Sequence, residues 1–237
     1  MKREVRTQIY TPEGPAGKTG RQLIAEHTLA LYVNAAPYAI FSCLREQLPE
    51  LVCGQLLADG RIRGAAALAD LRFSADDRRC DVTLPETVPA GERPRPAAPA
   101  WEPAWVFAAA RRFAEGTALY RETGAVHAAY LNRGAEALFT AEDISRRCAV
   151  LKALGAMSLR GYAPEDCWLF VSCRVNEEMV RTVAAAGIGL LASKSVATAD
   201  AAAWAGAQGL TLLCRAWPER FELTLTPPST TQIISDI

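Results

Sequence analysis

The second half of the chain alternates between apolar runs and segments with helical spacing. The apolar runs predict strands over residues 167–172, 188–192 and 210–214. Asn176 is a good N-cap for a helix that Gly187 ends, and Thr198 is a good N-cap for a second helix. Strands that alternate with helices of this length predict a parallel sheet covered on both faces, so this half of the chain is α/β.

A hairpin and a further helix are predicted before these elements. Two strand-like segments, residues 126–131 and 136–139, flank a turn signal that contains Gly134. Thr140 and Asp143 have the spacing of a capping box. The helix that would follow places four apolar residues on one face: Ile144, Cys148, Leu151 and Leu154.

The first half of the chain predicts a smaller α+β lobe. Alternating apolar positions indicate strands over residues 29–33 and 38–41, and residues 65–84 predict further short strands. Apolar residues at helical spacing fill the segment 44–56. Pro49 lies inside that pattern, so the helix is either kinked at the proline or begins near it.

Composition shifts divide the chain into four parts. Residues 1–20 are rich in Gly, Pro, Thr and charge, and they predict a poorly ordered arm before the N-terminal lobe of residues 21–84. Residues 85–103 are rich in proline, which predicts a long surface loop or a linker between lobes. A helix over residues 104–116 would then open an α/β domain that spans residues 104–237.

Charge and hydropathy exclude several functional classes. The chain has 237 residues, 26 Lys+Arg and 26 Asp+Glu, and therefore no net charge. A nucleic-acid-binding protein would carry a basic excess or a basic stripe. The sequence also shows neither a signal peptide nor an apolar run long enough for a membrane span. We therefore expect a soluble cytoplasmic protein that binds neither nucleic acid nor membrane.

The cysteines point to a reducing compartment. Seven cysteines are scattered along the chain, none in a C-x-x-C pair, and there are two histidines. This pattern predicts neither a disulfide framework nor a metal site, and most of the thiols would be small core residues. Cys173 is the candidate for a reactive thiol, because a helix N-terminus and the neighbouring Arg174 would both lower its pKa. The alternative is that Cys173 is also a small buried residue.

Two strand-to-helix turns carry the chemistry of an anion site. Residues 172–176 and 193–198 follow neighbouring strands, and each turn supplies hydroxyls, a cation and free backbone N–H groups at a helix N-terminus. Ligands of open α/β sheets bind beyond the carboxyl ends of such strands. The alternative is that Asn176 and Thr198 act only as helix caps while Arg174 and Lys194 are solvated. The sequence leaves both interpretations open, as it does a purely structural role for His127.

Several of these segments resemble the FdhD family, the formate dehydrogenase accessory sulfurtransferases. The resemblance runs from about residue 26 to about residue 224. Residues 123–129 are similar to the family's T-G-G-x-H-A-A segment, and residues 142–152 to its E-D-I-G-R-H-N-A-x-D-K segment. Residues 172–174 stand where the family has S-G-R, and residues 193–198 stand for its S-x-S-A-P-T.

The resemblance implies a fold, a ligand and partners. Family members have a cytidine-deaminase-like three-layer core, act as dimers, and carry sulfur from a cysteine desulfurase to the molybdenum cofactor of formate dehydrogenase. They bind that cofactor as molybdopterin guanine dinucleotide, so this chain would bind it or a guanine nucleotide. The cofactor-binding residues implied in this sequence are Thr123, Gly124, His127, Arg146, Lys152, Ser172, Arg174, Ser193, Lys194, Ser195 and Thr198.

One departure from the family changes the expected chemistry. The family's sulfur-carrying C-G-x-C-G loop should precede the helix near residue 104, but residues 85–103 contain no cysteine. A persulfide carrier needs an accessible thiolate on a mobile loop. The leading hypothesis is therefore a maturation factor of formate dehydrogenase, or of another molybdoenzyme, without the usual sulfur relay. The alternatives are a sulfurtransferase that uses Cys173 or, with less support, Cys80, and a structural partner of an active relative.

Overall fold

Two β-sheets and a separate hairpin carry the fold. A computed structural model of the protein describes residues 2–68, 70–85 and 95–224. The hairpin consists of β1 (Lys2–Thr11) and β2 (Gly14–Ile24). A four-stranded sheet follows, made of β3 (His27–Val33), β4 (Ala36–Cys43), β5 (Asp70–Phe73) and β6 (Arg79–Thr83) in the order β4-β3-β6-β5. The helix α1 (Leu48–Ala58) covers this sheet and has Pro49 in its first turn, so the helix begins at the proline.

The second half forms a six-stranded sheet in the order β12-β11-β10-β9-β7-β8. Its strands are β7 (His127–Arg133), β8 (Glu136–Asp143), β9 (Trp168–Val171), β10 (Leu190–Ser193), β11 (Thr211–Trp217) and β12 (Arg220–Leu223). The three central strands, β9, β10 and β11, are parallel, as their helical crossovers require. The outer strands β7, β8 and β12 are antiparallel to their neighbours, which makes the sheet mixed.

Five helices accompany this sheet. They are α2 (Pro103–Glu115), α3 (Ala118–Thr123), α4 (Arg146–Leu159), α5 (Glu177–Ala185) and α6 (Ala199–Gln208). In β9, Leu169 and Val171 pack toward α4, α5 and α6, whereas Trp168 and Phe170 pack toward α2 on the opposite face. The α/β prediction with helices on both faces is confirmed. The cytidine-deaminase-like classification remains a prediction, as does the division of the chain after residue 20 into a lobe, a loop and an α/β domain.

The two halves meet where α1 crosses α4. A Cβ atom built on Gly54 would lie 1.9 Å from the carbonyl oxygen of Leu151, and one built on Gly155 would lie 1.9 Å from that of Glu50. The helix backbones therefore touch without side chains between them. Leu151 of α4 is fully buried in the core of the N-terminal lobe, so α4 belongs to both cores.

Two expectations about local structure were wrong. The arm expected over residues 1–20 is part of the β1–β2 hairpin. The β-branched residues Val5, Thr7 and Ile9 alternate with polar residues, as in a strand, and hydrogen bonds between the two strands satisfy the backbone. The expected capping box also fails, since Thr140 and Asp143 both lie in β8. Ser145 caps α4 instead, by accepting a hydrogen bond from the Cys148 amide.

The proline-rich segment is described in part. Residues 86–94 of the predicted loop lie outside the described residues, as do residues 225–237 of the predicted α/β domain. Ala97 pairs with the chain just before β10, since its amide donates to the Gly187 carbonyl and its carbonyl accepts from the Gly189 amide. Within the described part of the chain, no helix is long and apolar enough to cross a membrane.

Candidate functional site

The two predicted turns are bound to each other beyond the ends of β9 and β10. The amide of Val175 donates to the Val196 carbonyl at 3.0 Å, and the amide of Thr198 donates to the Val175 carbonyl at 3.0 Å. Ser193 Oγ donates to the Cys173 carbonyl at 2.7 Å. Because these bonds satisfy much of the turn backbone, the turns form one rigid ledge at the carboxyl edge of the sheet.

A cavity of about 370 Å³ opens beside this ledge. Its size falls within the range of small-molecule sites, roughly 300–1,000 Å³. Three aromatic rings line it, from Phe113 of α2, Tyr120 of α3 and Tyr130 of β7. The remaining walls come from the chain that enters β7, from Ser172 and Lys194 of the two turns, and from Gly116, Thr117 and Ile144. The cavity therefore combines apolar ring faces with a few polar groups.

His127 and Ser172 form a hydrogen-bonded pair on the cavity wall. Ser172 Oγ accepts from the Ala128 amide at 3.0 Å and lies 3.3 Å from His127 Nδ1. Burial lowers the pKa of His127 below its usual value, and the positive charge of Arg146 lowers that pKa further. The imidazole is therefore neutral at pH 7, with one ring nitrogen that donates and one that accepts.

Lys194 is the charged residue that lines the cavity. Its ammonium lies 5.3 Å from the centre of the Phe113 ring and 5.1 Å from that of Trp217. Its backbone amide donates to the Val171 carbonyl at 3.1 Å. Among residues 2–68, 70–85 and 95–224, no carboxylate forms an ion pair with Lys194, Arg146 or Arg174. Both arginines are exposed, and Arg146 is close enough to act on His127 electrostatically. The Glu142 carboxylate, which accepts from the cavity residue Thr117, lies on the other side of the site, so the positive charge is concentrated at Lys194 and the two arginines.

The structure gives Lys152 a different role from cofactor binding. Its ammonium is fully buried, 2.6 Å from Asp143 Oδ2, and it also donates to the Leu44 carbonyl at 3.2 Å. Asp143 in turn accepts from the amides of Leu44 and Ser145. A ligand cannot reach this ion pair, so the expectation that Lys152 contacts a cofactor was wrong. Residues 142–152, which resemble the family's E-D-I segment, therefore join the two lobes through this ion pair.

The other predicted binding residues divide between the cavity and its supports. Gly124, His127, Ser172 and Lys194 line the cavity, whereas Ser193 is fully buried between the turns. Thr123 bonds within the end of α3, and Thr198 is the N-cap of α6. Ser195 donates its amide to Ser193 Oγ and accepts from the Arg215 amide. These four residues shape the walls, and binding of a ligand by any of them remains a prediction.

The expected activation of Cys173 is reversed. Its side chain is 6% exposed and packs in the core between the sheet and the α4–α6 layer. Burial raises the pKa of the Cys173 thiol above its usual value, and the charge of Arg146 offsets only part of that rise. The alternative, that Cys173 is a small buried residue, agrees with this environment. Cys80 is likewise buried, and burial raises its pKa to about 12.

All seven cysteines share this environment. Each is buried without a disulfide partner, and burial is the main cause of a raised pKa at each one. We therefore expect the native protein to show almost no reaction with an aromatic disulfide reagent at pH 8 within minutes, and seven reactive thiols in guanidinium chloride. Rapid labelling of the native protein at Cys173, located by mass spectrometry, would contradict this picture.

Sequence analysis missed the aromatic walls of the site. Phe113, Tyr120 and Tyr130 belong to three separate elements, so no local pattern in the sequence brings them together. Thr117 was also missed. It caps α3 and donates its hydroxyl to Glu142. In the sequence, a threonine just before a short helix predicts an N-cap and gives no indication of a binding site.

The chain matches known proteins over most of its length. A model of the FdhD/NarQ family matches residues 85–227. Sulfur carrier protein FdhD of Bordetella parapertussis is 40% identical over 96 residues, which cover 40% of this chain and 35% of that protein. Its counterpart in Variovorax paradoxus is 37% identical over 120 residues, 50% of this chain and 43% of the relative. The Chromobacterium violaceum protein of the same name is 27% identical over 81% of this chain and 85% of its own length.

A solved structure shares the whole fold. A crystal structure described as a formate dehydrogenase accessory protein, from Desulfotalea psychrophila, superposes with a TM-score of 0.83. The superposition covers 95% of this chain and 97% of that one at 22% sequence identity. The chain therefore has the same fold as that protein. The chain belongs to the FdhD/NarQ family.

Proposed function

We propose that this protein is an accessory factor in the maturation of formate dehydrogenase, or of another molybdoenzyme, and that its cavity binds the nucleotide end of a molybdopterin guanine dinucleotide cofactor. The observation that carries the proposal is an uncompensated lysine beside aromatic walls. Lys194 lines a cavity whose described lining contains no carboxylate, and its ammonium lies over the ring of Phe113. A planar base and a phosphate need these two kinds of group.

The residues present fit such a ligand. The cavity offers ring faces for a base, the ammonium of Lys194 for a phosphate, and the neutral His127 with Ser172 for hydrogen bonds. The exposed Arg146 and Arg174 add positive charge outside the cavity. When bound, the cofactor would supply the molybdenum–dithiolene chemistry of the enzyme that receives it. The protein would contribute binding, orientation and protection of the nucleotide end.

The proposal does not include a sulfur relay through this chain. The segment where the family resemblance places the C-G-x-C-G loop has no cysteine, and all seven cysteines are buried. A thiol with a raised pKa is neutral at pH 7 and is a poor acceptor of persulfide sulfur. We infer that any sulfur delivered to the cofactor reaches it from a cysteine desulfurase or an active relative without a covalent stop on this protein.

Nucleotide binding provides the first test. We expect GDP to bind the purified protein in isothermal titration calorimetry, and a Ser172→Ala variant to bind it at least several-fold more weakly. The substitution removes the hydroxyl that pairs with His127 and adds no atom to the cavity wall. Thr182→Val is the matched control, since Thr182 bonds within α5 away from the cavity. Absence of GDP binding by the parent protein at millimolar concentration would overturn the proposed ligand.

Sulfur labelling separates the proposal from its alternatives. The protein is incubated with a cysteine desulfurase and [³⁵S]cysteine, and the persulfide is read on non-reducing gels with and without dithiothreitol. We expect no label on the native chain. Label that disappears in Cys173→Ser would establish the sulfurtransferase alternative. Specific retention of an FdhD relative without any nucleotide binding would favour a structural partner, as would a heterodimer in place of the homodimer that the resemblance implies.

A further inference from the structure

A strained segment of β11 is hydrogen-bonded to the turn that carries Lys194. The backbone of Arg215 has a φ angle of 46°, which residues other than glycine rarely adopt. The register between β11 and β12 shifts between Cys214 and Trp217, as at a β-bulge. The Arg215 amide also donates to the Ser195 carbonyl at 2.7 Å. The same irregularity therefore ties β11 to the second turn and directs Trp217 toward that turn.

Trp217 and Phe113 approach the Lys194 ammonium at nearly equal distances. The separations from the ring centres are 5.1 Å and 5.3 Å, both within reach of a cation–π interaction. Phe113 comes from α2 and Trp217 from the far end of β11, so two distant elements converge on one cation. We name Lys194, Phe113 and Trp217 the lysine cage. Trp217 remains 41% exposed, so burial in the core does not explain why its ring lies beside Lys194.

A cation held between rings keeps its hydrogen-bond donors. A carboxylate partner would neutralise the ammonium and occupy its N–H groups, whereas ring faces attract the charge and leave N–H groups available to a ligand oxygen. A free lysine also loses rotamer entropy when it binds an anion, and the cage reduces that loss because the side chain is already ordered. The geometry thus suits an anion-binding group ordered before its ligand arrives.

We propose that Phe113 and Trp217 are positioning residues that hold Lys194 at the cavity, where its ammonium selects phosphate-bearing ligands over uncharged ones. This inference rests on the proposed nucleotide site, and it names the residues that would make that site selective for charged ligands. The selectivity would come from residues that sequence motifs do not connect, since Phe113 and Trp217 lie outside both turns.

The cage can be tested without any ligand. The sequence has four lysines, Lys2, Lys18, Lys152 and Lys194, so a protein labelled with [¹³C]lysine gives a small set of Cε methylene signals. We expect one signal to be moved upfield by ring currents, to vanish in Lys194→Met, and to move part of the way back to the ordinary lysine position in Trp217→Leu, where the Phe113 ring remains. If the Lys194 signal of the parent lies with that of an exposed lysine such as Lys18, the cage is overturned whatever the protein binds.

Ligand binding then tests the function of the cage. We expect GDP affinity to fall at least tenfold in Lys194→Met and about three- to tenfold in Trp217→Leu, with guanosine affinity unchanged in both. Trp204→Leu is the matched control, because Trp204 lies 4.9 Å from Arg181 in a similar pair away from the cavity. We expect its GDP affinity to stay within twofold of the parent.

The outcomes separate the two proposals. If the parent binds GDP and Trp217→Leu binds it equally well, the positioning role is overturned and the nucleotide site stands. Equal loss of GDP and guanosine in Trp217→Leu would also overturn the role, since it would indicate general damage to the cavity. If the parent shows the ring-current shift but binds no GDP, the proposed nucleotide function fails, and the selectivity fails with it.

Discussion

Replacing Gly155 with alanine is expected to lower the free energy of unfolding by about 3 kcal/mol or more, the upper range for an overpacked core. The new Cβ would lie 1.9 Å from the Glu50 carbonyl oxygen and 2.8 Å from the Gly54 amide nitrogen. Both atoms belong to the backbone of α1, so no side-chain rotation can relieve the contact. The helices α1 and α4 would have to separate, and the two halves of the protein would lose their common core.

The control for this variant is the same substitution in another helix. Gly206 is exposed within α6, and Gly206→Ala is expected to be neutral or to stabilise the protein by up to about 1 kcal/mol, because alanine has the higher helix propensity. Urea unfolding followed by circular dichroism compares the variants with the parent. A Gly155→Ala protein as stable as Gly206→Ala would show that the crossing can relax, and the close approach of the helices would lose its importance.

Replacing Lys152 with methionine is expected to cost about 3–5 kcal/mol of stability, the usual effect of leaving one member of a buried ion pair alone. The ammonium and the Asp143 carboxylate are both fully buried at 2.6 Å, and methionine restores neither the charge nor the bond to the Leu44 carbonyl. Thermal or urea unfolding at pH 7 measures the loss. This prediction contrasts with a binding role for Lys152, in which the variant would lose ligand affinity and keep its stability.

A double variant distinguishes the lost pair from damage to packing. Asp143→Asn combined with Lys152→Met removes both charges. The asparagine oxygen can accept from only one of the two amides, because the Leu44 amide donates to Oδ2 and the Ser145 amide to Oδ1. We expect this protein to be more stable than Lys152→Met alone by at least about 1 kcal/mol, since no buried charge remains unpaired. If the double variant loses as much as the sum of both single variants, the two residues do not act as a pair.

Much of the secondary structure could be predicted because its causes are local. The apolar runs that became β9, β10 and β11, and the caps Asn176 and Thr198, depend on residues within a few positions of each other. The β1–β2 hairpin was missed although Val5, Thr7 and Ile9 alternate, because its Gly and Pro content resembles that of a loop. When the two disagree, amino-acid composition predicts secondary structure less well than the alternation of residue types along the chain.

The candidate site could be predicted only in part, and Cys173 shows why. Helix N-termini and neighbouring charges are visible in sequence, and both would lower the pKa of a thiol. The packing of α4, α5 and α6 around that thiol is not visible in sequence, and the burial it causes has the larger and opposite effect. The sign of the shift therefore depended on elements that no local pattern connects to Cys173.

The sequence by itself determined the α/β class, the neighbouring anion-suited turns, the family resemblance and the absence of cysteine from residues 85–103. Each of these follows from residue type and short-range spacing. Tertiary structure decided which groups meet. It paired Lys152 with Asp143, and it bonded Asp143 to Leu44, which lies 99 positions earlier in the chain. It also brought Phe113 and Trp217 to Lys194. Burial and pairing are properties of the assembled core, and so only the fold could assign these side chains to support, to the cavity or to the cage.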